Sequence, residues 1–185
     1  MGRSVGAGVR RAAPRSACRE RLAAAARLLD RASDRAGQLG VHIGVETHDA
    51  FLASATVAEL LALVPSPWVG AVWDSHHPCR AGESARDVYD AIGSRLCLAQ
   101  VKDAARSTTT AGGWELVPLG EGDVPVREML GLLIAGQYGG WVSVEWEKHW
   151  HPEIAGPGEA LPQHLGLIRT WIGELNGAGG AKGGR

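Results

Sequence analysis

Trp68-Val-Gly-Ala-Val-Trp-Asp74 is a short apolar run that ends in a carboxylate, and Pro65 and Pro67 stand just ahead of it. The prolines end any preceding helix, and a run this short and apolar suits a strand buried on both faces. Three other segments have the same form. Val41-His-Ile-Gly-Val-Glu46 and Trp141-Val-Ser-Val-Glu-Trp146 also carry an acid at their far end, and Leu96-Cys-Leu-Ala-Gln-Val-Lys-Asp103 presents Gln100, Lys102 and Asp103. Helical patterns separate them. Ser16 to Leu39 places Leu22, Ala25, Ala26, Leu29, Ala32 and Ala36 on one face before Gly40. Thr56-Val-Ala-Glu59 reads as a capping box opening a helix through Val64, and Ser84 to Ser94 is helical. Pro125 to Gln137 is stopped by Gly139-Gly140, and a last helix is expected from about Leu161 to Leu175. One helix followed by four strand–helix units predicts an α/β fold with a parallel sheet covered by helices.

Side chains alternate along a strand, which decides which polar groups meet. The phase that turns Glu46 inward also turns His42 and Gly44 inward, and leaves Ile43 and Val45 for the helices. The same phase groups Asp74 with Val72 and Gly70, Gln100 with Leu98 and Lys102, and Glu145 with Ser143. On three of the four strands the bulkier apolar set faces the helices. A closed barrel has such an interior, and Glu46, Asp74, Gln100 and Glu145 then converge at one mouth, at the carboxyl ends of the strands where α/β folds place their sites. Three packed carboxylates cannot all stay ionised without a cation. Carboxylate and amide oxygens together suit a hard or borderline divalent ion such as Mn²⁺ or Mg²⁺. Such an ion polarises a carbonyl or hydroxyl oxygen, and a carboxylate beside it moves a proton at the adjacent carbon.

Composition narrows the alternatives. The chain has 185 residues, 45% of them hydrophobic and 21% charged, which excludes wholesale disorder. No run of 18 apolar residues exists, so no membrane-spanning helix is expected. Three scattered cysteines (Cys18, Cys79, Cys97) are too few for a disulfide framework and suit a reducing, cytoplasmic setting. The net charge of −1 conceals a polarity. Residues 1–40 carry nine arginines against Glu20, Asp30 and Asp34, and the remainder is correspondingly acidic. A basic arm can bind nucleic acid, but no aromatic accompanies these arginines to stack on bases, so no nucleic-acid partner is expected. Residues 1–15 read as a disordered basic arm, with a transit peptide as the other option, and 177–185 as a flexible glycine-rich tail around a domain spanning 16–176.

The segments Val45-Glu-Thr-His48, Val72-Trp-Asp-Ser-His-His-Pro78, Gln100-Val-Lys-Asp103, Leu119-Gly-Glu-Gly-Asp123 and Val144-Glu-Trp-Glu147 carry a resemblance. Over about residues 40–150 the chain resembles the sugar phosphate isomerase/epimerase family of xylose-isomerase-like TIM barrels, which includes D-tagatose 3-epimerase and inosose dehydratase. The resemblance implies that each of the last four barrel strands supplies one ligand to a divalent metal. These are Glu46, Asp74, Gln100 and Glu145, with Gln100 where the family has histidine. A glutamine amide oxygen shifts the preference toward harder cations. The metal implied is Mn²⁺, Mg²⁺ or Co²⁺, with Zn²⁺ also open. Glu46 and Glu145 are implied as proton carriers, one on each face of the substrate carbon. His77 and Arg106 are implied as substrate binders, and Lys102 and Trp146 also stand where they can meet a keto-sugar, sugar phosphate or cyclitol.

Other residues read as structural. Cys97 has the outward phase and is expected to pack under helices. Glu147-Lys148 reads as a solvated turn, and Gly120-Glu-Gly-Asp123 as a tight turn and cap, because no Lys-Ser/Thr follows to make a phosphate loop. His76 and His77 cannot both reach one site from a strand, and His77 is favoured. A complete barrel takes roughly 250 residues. The four strand units therefore read as the C-terminal half of a barrel, truncated at its start, with exposed sheet edges that favour a homodimer or other association. The leading expectation is a metal-dependent isomerase or epimerase. The alternatives are a non-catalytic, partner-dependent half-barrel and a dehydratase built from the same parts. An abasic-site endonuclease would want more histidine ligands and a basic face.

Overall fold

A computed structural model describes residues 15–110 and 112–180. The basic arm expected at 1–15 lies outside them save for its last residue. Helix α1 (Arg15–Leu39) comes first, as its apolar stripe predicts. Four strands then form one parallel sheet in the order β1 (Ile43–Glu46), β2 (Val69–Asp74), β3 (Leu96–Val101) and β6 (Trp141–Val144). Helices α2 (Ser54–Ala62), α4 (Ala85–Ile92), α5 (Val126–Ala135) and α6 (Pro157–Gly180) lie between or after them. The outward set expected from alternation, Val69, Ala71, Trp73, Ala99 and Val101, is buried with Leu60, Val88, Met129 and Ile168 of the helices in one core. Among the described residues the sheet is open, with β1 and β6 as its edges. No described helix is long and apolar enough to cross a membrane.

Several local expectations are corrected. The capping box at Thr56 does not form. Helix α2 starts two residues earlier, with no side-chain cap of its own, and the Glu83 carboxylate accepts the Ser54 N–H at 3.0 and 3.2 Å. A carboxylate brought from elsewhere complements the helix N-terminus as well as a local one would. The capping box that does form is Ser84 with Asp87 at the start of α4. The last helix continues to Gly180, so the glycine-rich run from Gly177 is helical over its first four residues; 181–185 lie outside the described residues.

The third strand stops at Val101, and the segment read as a long loop contains an antiparallel hairpin, β4 (Asp103–Arg106) with β5 (Trp114–Val117). Cys97 is not under the helices. The register between β2 and β3 shifts between Ala71 and Val72, with Ala71 opposite Leu96 and Val72 opposite Leu98. This bulge resets the phase locally. A Cβ on Gly70 would lie 3.1 Å from the Cys97 Cβ, and one on Gly44 3.3 Å from its sulfur, so Cys97 covers the inner-face glycines.

Candidate active site

The carboxyl ends of the four strands are held level by the parallel register. Asp74 lies opposite Gln100, Gln100 opposite Ser143, and Val101 opposite Val144. Backbone bonds continue this alignment past the strand ends, from the Thr47 N–H to the Val72 carbonyl and from the Glu145 N–H to the Val101 carbonyl. The result brings ligand atoms of Glu46, Asp74 and Glu145 to within 4.8 Å of one another. Gln100 shares the inner face, and its Oε1 is buried with no hydrogen-bond partner. The four positions singled out by alternation therefore lie together.

Asp74 is the anchor. Its side chain is fully buried. One carboxylate oxygen, Oδ1, accepts the N–H groups of His76 (2.9 Å) and His77 (2.8 Å), opening the five-residue helix α3 (His76–Arg80). The Asp74 N–H donates to Thr47 Oγ1 at 3.1 Å, tying β2 to the end of β1. The other oxygen, Oδ2, has no hydrogen bond, and neither does Glu145 Oε2. Both lie 3.3 Å from the Lys102 ammonium, close enough for charge attraction but not in line for a donated proton.

Lys102 sits at the centre of the cluster, and its side chain is only 2% exposed. Its ammonium donates to Glu147 Oε1 at 2.6 Å and lies 3.2 Å from His77 Nε2. Burial would lower its pKa, but the Asp74, Glu147 and Glu145 carboxylates outweigh burial and hold it above the usual lysine range. Glu145 is pushed up to about 7, first by burial and then by the neighbouring Asp74 carboxylate, against the pull of Lys102. Glu147 is expected from sequence to be a solvated turn residue. Instead it is half-buried against the ammonium, and Lys102 overcomes burial to hold it below the usual glutamate range.

The two adjacent histidines both belong to the site region, because they leave β2 on a helix and not on a strand. His77 stands edge-on to His48 with ring centroids 4.3 Å apart. His76 turns toward Trp114 (5.1 Å, edge-on), and its Nε2 is buried without a partner. Burial and the Lys102 charge depress His77 to about 3, and the same causes with Arg80 depress His76 to about 4. Both are neutral near pH 7. They line a cleft of about 290 Å³ with Arg80, Trp114, Glu147 and His151.

Arg106 and Trp146 have other partners. The Arg106 guanidinium lies 5.0 Å over the Trp114 ring, and the Arg106 backbone N–H donates to Asp123 Oδ2 at 2.7 Å. The Trp146 indole N–H donates to the Ala155 carbonyl at 2.9 Å, and its ring packs on the fully buried His164. The Gly120–Asp123 turn is organised by a residue that sequence reasoning missed. The buried Asp103 carboxylate accepts the N–H groups of Ala104, Gly120, Gly122 and Val124. Trp114 was also missed. It belongs to the hairpin that follows Lys102, and the only signal for it is an aromatic set in a polar stretch.

Three carboxylates (Asp74, Glu145, Glu147) surround one ammonium here, Glu46 adjoins Asp74 and Glu145, and three oxygens remain without hydrogen bonds: Asp74 Oδ2, Glu145 Oε2 and Gln100 Oε1. Buried acceptors without hydrogen bonds are what a cation satisfies. The donor set fits a divalent metal bound through oxygen. An open α/β sheet whose strand ends carry an oxygen-rich group of potential metal ligands defines the class.

Residues 3–171 match the model of the xylose isomerase-like TIM barrel family, and the chain belongs to it. Solved structures share the fold. An L-ribulose 3-epimerase superposes with a TM-score of 0.76 at 13% identity, covering 96% of this chain and 62% of that one. A xylose isomerase-like protein from Mycobacterium smegmatis in complex with magnesium gives 0.67 at 16% identity, over 90% and 55%. The IOLI protein with a bound zinc atom gives 0.68 at 19% identity, over 90% and 60%. The chain thus spans about three fifths of the length of these structures. No curated protein matches its sequence.

Proposed function

We propose that the chain carries the metal-binding and proton-transfer half of an isomerase or epimerase acting on a keto-sugar, sugar phosphate or cyclitol. The observation that carries this reading is the convergence of Glu46, Asp74 and Glu145 beside the unpartnered Gln100 Oε1. Glu46, Asp74, Gln100 and Glu145 would hold a divalent ion, Mn²⁺, Mg²⁺ or Co²⁺, with Zn²⁺ also accommodated. When bound, such an ion polarises the substrate oxygens and acidifies the adjacent C–H. One of Glu46 and Glu145 takes that proton from carbon, and the other returns a proton on the opposite face, which inverts the centre. His77, neutral and held by the Asp74 cap, offers a hydrogen bond to a substrate oxygen. The Lys102 ammonium neutralises the cluster and is held by its bond to Glu147. Arg106, stacked on the cleft-lining Trp114, and Trp146, beside Glu145 in sequence, would meet the substrate from the rim.

Calorimetric titration of untagged, metal-free protein with Mn²⁺, beside Glu145→Gln, tests the centre. Micromolar-range binding is expected in the native chain, weakened at least about tenfold in the variant, roughly 1.4 kcal/mol. Absence of binding in the native chain overturns the reading. A second reading, favoured by the open sheet, has the chain bind metal but turn over only when another chain covers its edges. Metal binding without exchange of substrate C–H protons into deuterated solvent would select it. Loss of water from a cyclitol, followed by absorbance, would select a dehydratase.

A further inference from the structure

Beside the oxygen-rich centre stands a second group of ligands with different chemistry. Ligand atoms of Glu46, His48 and His77 also lie within 4.8 Å of one another, so Glu46 belongs to both groups. The geometry points to a second cation site, formed by Glu46, His48 and His77, adjoining the carboxylate site through a shared glutamate and selecting a softer divalent ion.

Three features of the chain build it. His77 is fixed by the bond from its N–H to Asp74 Oδ1, and its ring is mostly buried. His48 follows Glu46 by two residues and leaves the strand just where the chain turns, its N–H bonded to the Glu46 carbonyl at 2.9 Å. That turn brings its ring to the edge of the His77 ring, at 4.3 Å between centroids. The chemistry separates the two sites. Carboxylates and an amide oxygen favour Mg²⁺ and Mn²⁺, whereas two imidazoles with one carboxylate favour Co²⁺, Ni²⁺ or Zn²⁺. His77 Nε2 lies 3.2 Å from the Lys102 ammonium, and Glu147 at 2.6 Å gives that ammonium a place to stay if an ion takes the imidazole. The near half-exposure of His48 leaves the site open to entry from solvent.

The inference rests on the proposed carboxylate centre only in sharing Glu46, and the test separates the two. Untagged, metal-free protein is titrated with Co²⁺, read by its visible absorption and by calorimetric stoichiometry, and separately with Mn²⁺. Two equivalents of Co²⁺ and one of Mn²⁺ are expected for the native chain. His48→Ala, at a half-exposed loop position, is expected to lose one Co²⁺ equivalent and leave the Mn²⁺ isotherm unchanged. Glu46→Gln is expected to weaken both ions at least about tenfold. One Co²⁺ equivalent in the native chain, or the same stoichiometry in His48→Ala, overturns the second site while leaving the first intact. Loss of Mn²⁺ binding in His48→Ala overturns the separation of the two sites.

Discussion

Lys102 occupies the space between Asp74, Glu145 and Glu147 that a divalent ion would enter. Like charges held that close compete, so Lys102→Met is expected to raise Mn²⁺ affinity about tenfold, roughly 1.4 kcal/mol, by calorimetry. An unchanged affinity would show that the ammonium already stands clear of the ion. Glu145 makes a second case at this scale. Its folded pKa of about 7 lies above that of an unfolded glutamate, so the metal-free fold loses stability as pH rises from about 4.5 through 7. Glu145→Gln removes that loss. The melting temperature of the variant relative to the native chain, in chelator, is expected to rise across this window, and the difference cancels the opposite trend from His76 and His77. A flat difference would mean that Glu145 ionises freely. Glu46, Asp74, Gln100 and Glu145 were legible from alternation because each lies on a strand or directly at its end. Glu147 was not, because β6 ends at Val144 and the period of two ends with it.

Among the elements, the turn after β5 shows how a buried charge shapes the rim of the site. Asp103 gathers four backbone N–H groups, and Gly122 is the residue that lets the chain come so near. A Cβ at Gly122 would collide with Asp103 Oδ1 and lie 2.6 Å from the Ala104 carbonyl oxygen. Gly122→Ala is therefore expected to cost about 1–3 kcal/mol in urea unfolding, by overpacking. A loss well under 1 kcal/mol would mean that the turn relaxes freely. The four parallel strands and their helices were readable from periodicity and breakers, since apolar runs and proline positions are local signals. The start of α2 was not, because its N-terminal acid, Glu83, arrives from 29 residues away. The short helix α3 and the hairpin escaped for a related reason. Asp74 caps α3 through a buried oxygen, and the hairpin strands pair only with each other.

At the level of the whole molecule the sheet carries two free edges among the described residues, and Trp141 at the start of one edge strand is 82% exposed. Unpaired strand edges next to exposed aromatic surface favour pairing with another chain. Sedimentation velocity is expected to show concentration-dependent association, reduced by Trp141→Lys. A monomer at every concentration would contradict it. The sequence by itself determined the α/β class, the order of strands and helices, and the carboxylates that share a phase, because hydrophobic period and strand-end chemistry are written in neighbouring residues. Tertiary structure alone decided that Glu147 joins the inward-facing Lys102 inside the cluster, that Cys97 turns inward at the bulge, and that His48 meets His77. These depend on register between strands and on contacts across 20 residues and more, which no local pattern encodes.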